Sequence, residues 1–281
     1  MRILTRKRGS KTYFYLHHSI RIGDKVRTEE RYIGTELPAS IESIQKNFLR
    51  ELQSPVYSKF DSIKSHFQAE WSRFPKVIRE KEKEEIAIAF TYNTNAIEGS
   101  TITLHEAREI IHDKIAPNKP LRDVRETETH SKVFLDMLSS KKPMTIKQLL
   151  HWHQSIFGET KPEISGCFRD YLVRVGDYIA PDWQDVHKLM SGLMLFLRRP
   201  LHPVELVARS HYQFEKIHPF GDGNGRIGRL LMNYMLWWNG YPMLIIEYKK
   251  RKSYYKALQK NEDGFVQYFF RRYLAVHKKR I

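Results

Sequence analysis

The chain has 281 residues, 41% hydrophobic and 28% charged with 12 Pro and 14 Gly, proportions that exclude disordered and fibrous classes and allow one large domain or two smaller ones. A single cysteine, Cys167, excludes an internal disulfide framework and a Cys-rich zinc module, and suits a reducing cytoplasm. The net charge of +16 is uneven, with nine Lys/Arg against four Asp/Glu in residues 1–36 and eleven against three in residues 245–281. These basic ends are either a solvated surface or an attraction for phosphate-rich partners, nucleic acid included.

No apolar run follows the basic start, so no leader is expected. The most apolar stretch, Leu230 to Ile246, is too short for a membrane span and is broken by Asn233, Asn239, Gly240 and Pro242. Thr12–Leu16 and Lys25–Ile33 are rich in aromatic and β-branched residues around the turn Ile22-Gly23-Asp24-Lys25, which predicts a β-hairpin. From residue 39 the spacing turns helical, with interruptions expected at Pro55 and Pro75. Lys76–Glu98 reads as a helix with the stripe Ile86, Phe90, Thr94, Ile97 and a stop at Gly99.

Thr103 and Glu106 form a capping box for a short helix to Asp113. Helices are predicted over about 124–138 and 145–157. The segment 166–181 then breaks the rhythm: Tyr171–Val175 and Tyr178–Pro181 flank Gly176-Asp177, a two-residue connection for a small hairpin. Helix returns over 183–197, 203–217 and 226–238. The fold class is mainly α, with one hairpin laid into a helical bundle and a second at the N-terminus. Cys167 is read as a packed small hydrophobe, and His151 and His153 as pointing to different faces.

The chemistry concentrates in His218-Pro219-Phe220-Gly221-Asp222-Gly223-Asn224-Gly225-Arg226-Ile227-Gly228-Arg229. Three glycines in five residues let the backbone present N–H groups at the start of a helix, where unpaired donors and the dipole favour anions. Arg226 and Arg229, three apart, can both reach back over this loop, and two forked cations above such a nest describe a polyphosphate site. Asp222 supplies the carboxylate that a phosphate-bound Mg²⁺ needs. His218 is the candidate general base. An EF-hand starting at Asp222 would need Gly at its sixth position and Glu at its twelfth but finds Ile227 and Asn233, and no Gly-Lys-Ser/Thr triplet makes a Walker A loop.

This string resembles, at every specified position, the signature of Fic domains, and the resemblance extends over about residues 80–275. It implies a helical Fic fold with a β-hairpin flap, organised as a basic N-terminal hairpin (1–36), a helical linker region (37–79), the Fic domain with an inhibitory helix (80–275) and a basic tail (276–281). It further implies a Mg²⁺-dependent protein adenylyltransferase that moves AMP from ATP to a Ser, Thr or Tyr hydroxyl of an unidentified target protein. His218 would take the hydroxyl proton and Asp222 would hold Mg²⁺. Gly223, Asn224 and Gly225 would cradle the phosphates, Arg226 the α/β region and Arg229 the γ-phosphate. The flap, Val175, Gly176, Asp177 and Tyr178, would align the target by strand addition, and Tyr254 and Asn261 would lie near the adenosine.

Thr94-Asn95-Ala96-Ile97-Glu98-Gly99 resembles the family's inhibitory motif, which implies that Glu98 pairs with Arg229. Physical logic agrees, because one guanidinium cannot pair with a carboxylate and a phosphate in the same place. Alternatives are AMP removal or another nucleotidyl transfer by the same site, or a nucleic-acid-binding regulator on a silent Fic scaffold. A homodimer is a further implication.

Overall fold

The computed structural model describes residues 1–22, 25–140 and 142–281, with side chains outside 20–27. The turn expected at 22–25 falls on Gly23 and Asp24, outside those residues. The chain divides into Met1–His66 with Phe269–Ile281, and Phe67–Tyr268.

The first unit carries the expected hairpin extended by one strand into a three-stranded antiparallel sheet. β1 (Arg2–Arg8), β2 (Lys11–Ile22) and β3 (Lys25–Gly34) lie in that order, with Arg8 opposite Lys11. β1 escaped the sequence reading because four of its seven residues are Arg or Lys. An edge strand tolerates such charge, and it discourages further pairing. Leu16 of β2 is fully buried against Phe48 and Leu52 of the long helix α1 (Ile41–Arg73).

α1 runs through Pro55 without the expected interruption. The lost hydrogen bond and ring clash cost about 3 kcal/mol, but Phe48, Leu52, Val56, Phe60 and Ile63 form a continuous buried stripe that outweighs them. Phe60 meets Phe270 and Tyr273 edge-on at 5.0 and 5.6 Å.

The second unit is helical: α2 (Lys76–Ile97), α3 (Leu104–Arg108), α4 (Leu121–Ser139), α5 (Ile146–Phe157), α6 (Val186–Phe196), α7 (Pro203–Ile217), α8 (Asn224–Trp238), α9 (Arg251–Leu258) and the start of α10 (Glu262–Val276). The capping box Thr103/Glu106 is present, and a single π turn, Glu109–Asp113, follows α3. The flap strands β4 (Arg174–Val175) and β5 (Tyr178–Ile179) pair across Gly176-Asp177. Gly176 has φ +59° while Asp177 stays at negative φ, the pattern of a type II′ turn.

α8 is the centre, buried at every residue from Arg226 to Leu236 and packed by α2, α4, α5 and α7. A helix with neighbours on all sides has no solvent face for its charges, so Arg226 and Arg229 need internal partners. Among the described residues no helix is long and apolar enough to cross a membrane. Cys167 is exposed, correcting its reading as a packed residue: it sits in a turn after Ser165, its thiol 3.6 Å from the Ile164 carbonyl.

Candidate active site

α7 ends at His218, which caps it in the left-handed region at φ +50°, its N–H bonded to the Phe214 carbonyl at 3.0 Å. A non-glycine residue held there is strained, and surrounding contacts must enforce it. Arg169 does so from the flap entrance. Its guanidinium donates to the carbonyls of His218 (2.8 Å), Tyr171 (2.8 Å) and Pro181 (2.6 Å), and its own N–H bonds to Pro219 O at 2.9 Å. One buried cation thus ties His218, the loop and the flap together. Burial pushes the His218 pKa down, so its imidazole is neutral at pH 7.

The loop between α7 and α8 is locked from three sides. Asn224 donates to the Phe220 carbonyl and accepts from the Phe220 N–H, both at 2.8 Å. His153 of α5 stacks on Phe220 at 4.0 Å with planes 6° apart, accepts from Gly166 N–H at 3.0 Å on Nδ1, and donates from Nε2 to Asp222 O at 3.0 Å. Burial holds its pKa down to about 4, which keeps that tautomer neutral. Gly223 precedes α8 at φ +79°, and a Cβ on it would sit 2.5 Å from Phe157 Cε2. Gly225 is tight for a different reason: a Cβ there would meet the Glu98 carboxylate and lie 2.9 Å from Arg229 Nη1.

Asp222 is half exposed. Its Oδ1 accepts from Gly223 N–H at 2.6 Å and its Oδ2 meets Lys161 Nζ at 2.6 Å. Burial opposes ionisation, but Lys161 and Arg226 hold its pKa below the ordinary carboxylate value. Arg226 is turned away from the cavity. It pairs with Glu126 of α4, lies over the Phe157 ring at 4.3 Å, and approaches Asp222 only to 3.7 Å. Of the reach expected over the loop, Arg226 therefore keeps this long ion pair to Asp222.

Arg229, 1% exposed, donates from Nε to Thr94 Oγ1 (2.8 Å), and from Nη2 to Thr94 O (3.1 Å) and to Glu98 Oε1 (2.7 Å). Glu98 occupies the C-cap of α2, where Gly99 at φ +89° ends the helix. Glu215 of α7 faces the same guanidinium; burial raises its pKa to about 7.

These groups share one cavity of about 390 Å³, lined by Glu98, Val175, Tyr178, His218, Asp222 and Arg229, with Tyr255 and Leu258 from α9 and Gln259 just after it. The flap is stitched over it: Tyr178 OH donates to Lys216 O at 2.7 Å, and Lys216 Nζ lies 4.2 Å from the Tyr178 ring. Asp177 is exposed at the flap tip. Tyr254 lies behind Arg229 instead of lining the cavity, fully buried, with its hydroxyl 2.8 Å from His211 Nε2. Asn261 is exposed, and its side chain accepts from Gly264 N–H at 2.9 Å. Glu126, Lys161, His153 and Arg169 were not singled out as site residues from the sequence. They stand 53 to 96 positions from Asp222, and nothing in their local spacing marks them.

A helical core that presents a glycine-rich loop and a buried arginine beneath a two-stranded flap defines the Fic fold. Two solved structures share it: a Fic-domain signalling protein from Bacteroides thetaiotaomicron (TM-score 0.67, 22% identity, covering 79% of this chain and 96% of that one) and Fic-1 from C. elegans (TM-score 0.69, 24%, covering 88% and 78%). Residues 143–236 match the family model described as the Fic/DOC family, and the chain carries a Fic domain. Proteins named Protein adenylyltransferase Fic are 36% identical over 189 residues in Nematostella vectensis (64% of this chain, 44% of the relative) and 34% over 202 residues in Drosophila ananassae (67% and 40%). The chain thus spans less than half the length of these curated relatives.

Proposed function

We propose that this protein transfers AMP from ATP to a hydroxyl side chain of a target protein, and that Glu98 restrains it. The supporting observation is that His218, the N-terminus of α8 and the Glu98–Arg229 pair face one cavity. His218 directs Nδ1 at the Glu215 carbonyl, 3.4 Å away, which leaves Nε2 to accept a proton. The target oxygen forms a bond to the α-phosphorus as that phosphorus loses its bond to the α/β bridging oxygen. The proton goes to His218 and pyrophosphate leaves. Charge stabilisation by the loop N–H groups and Arg229 supplies much of the catalysis.

The residues fit a Mg²⁺ carried with the nucleotide, because Asp222 is ionised, half exposed and already bonded to a cation. When bound, Mg²⁺ would offset charge on the phosphates and on the departing pyrophosphate. Target side chains would lie along the Val175–Tyr178 edge of the flap.

The test is incubation with a lysate and ATP labelled at the α- or the γ-phosphate. Label should pass to protein from the α position only. Transfer from the γ position would mean phosphoryl transfer, and no transfer with either parent or Glu98→Gly would overturn the proposal.

A further inference from the structure

We propose that Lys161 is the resident cation of Asp222, displaced when a divalent cation enters with the nucleotide, so that Lys161 sets how strongly the site depends on that cation. The inference rests on the reading that Asp222 is the cation ligand. Its own support is geometric. Lys161 stands in the turn that ends α5, where its N–H bonds to the Phe157 carbonyl at 2.8 Å, so its backbone is fixed. Its ammonium, on a side chain only 14% exposed, lies 2.6 Å from Asp222 Oδ2 and 3.1 Å from Glu126 Oε1. Both Asp222 oxygens are already engaged, Oδ1 by the Gly223 N–H.

A Mg²⁺ approaches a carboxylate oxygen to about 2.0–2.1 Å. An ammonium on that same oxygen would then lie within roughly 4–5 Å of a doubly charged ion, and such like charges repel strongly in a half-buried site. Lys161 must therefore yield, and it can do so without losing its charge partner. Glu126 remains 3.1 Å away, and the flexible four-carbon stem allows the swing. The arrangement parallels the other end of the loop in reverse. At Arg229 a resident anion stands where a phosphate belongs; at Asp222 a resident cation stands where a metal belongs.

ADP is the probe, since it lacks the γ-phosphate that would meet Glu98. Calorimetry of ADP binding to the full chain, in EDTA and at saturating Mg²⁺, gives the ratio of the two affinities, a coupling between metal and nucleotide. Lys161→Met keeps the stem and removes the charge, and should raise that ratio by about 10-fold. Lys161→Arg, whose fork grips a carboxylate in bidentate fashion, should lower it. A purely structural role would move both variants the same way, and that result or an unchanged ratio in Lys161→Met overturns the inference. Asp222→Asn separates the two readings: it should bring the ratio towards one. A ratio equal to the parent's in Asp222→Asn would remove Asp222 as the cation ligand, whatever Lys161 does.

Discussion

Arg226 and Arg229 stand three residues apart on α8, yet their partners differ in a way that decides what each can do. Arg226 meets Glu126 in the body of α4, and both side chains are under a tenth exposed, at 6% and 7%. Arg229 meets Glu98 at the very end of α2, where the carboxylate is 30% exposed and the next residue is a helix-ending glycine. Glu126 also accepts from Thr160 at 2.9 Å and pairs with Lys161, so it is held by several elements. Glu98 is held through Arg229 and has an open side. On the proposed function, the same ion pair is an anchor in one place and a releasable latch in the other. Charge type matters less than how many elements hold the carboxylate.

The contrast breaks most severely if the anchor is cut. Glu126→Ala leaves buried Arg226 with only the distant Asp222 carboxylate, and losing one partner of a buried pair costs about 3–5 kcal/mol. Urea denaturation should show that loss, whereas Glu98→Gly should change stability by far less; equal losses would erase the distinction. Between the two flanks, His218→Ala should lower AMP transfer by ~100-fold or more while leaving nucleotide affinity nearly unchanged. The pH profile adds a check. Because burial lowers the His218 pKa, the acid limb of the transfer rate should fall below the pH at which a free histidine titrates. A limb above that pH would assign the proton to another group.

Opening the latch is expected to raise activity. Hydrogen bonds to a charged group are worth ~1.5–3 kcal/mol, so Glu98→Gly should increase self-labelling by roughly 10- to 100-fold, and Arg229→Ala in the same chain should cancel the gain. A parent already as active as Glu98→Gly at saturating ATP would reduce Glu98 to an ordinary carboxylate.

The smallest effect belongs to Glu215, whose folded pKa of about 7 lies above the ordinary carboxylate value. Such a group binds more protons folded than unfolded, so its contribution to stability is present at low pH and is lost as pH rises through about 7. Glu215→Gln should therefore gain more in melting temperature at pH 8 than at pH 5, relative to the parent. An equal gain at both would mean that Glu215 does not titrate there.

Much of this protein is legible in the chain itself, because local rules generate it. Helical spacing, the Thr103 capping box, the Gly176-Asp177 turn and the glycines at 221, 223 and 225 depend on neighbours within a few residues. The Thr94–Glu98 spacing also put both residues on one helical face, and both do meet Arg229. Long-range packing decided the remainder. α1 passes through Pro55 because a buried stripe outweighs a local penalty, and β1 is a strand because β2 offers it an edge. Arg226 turns to Glu126, one hundred residues away in sequence, and Lys161 reaches Asp222 only because α5 packs on α8. Tyr254 faces His211 while its neighbour Tyr255 faces the cavity, a choice made by how α9 is rotated against α7. Sequence thus specified the loop that offers donors to an anion, since backbone conformation is local. Only the folded chain specified which charges stand in that loop's way, since burial makes each charge find a partner wherever the fold brings one.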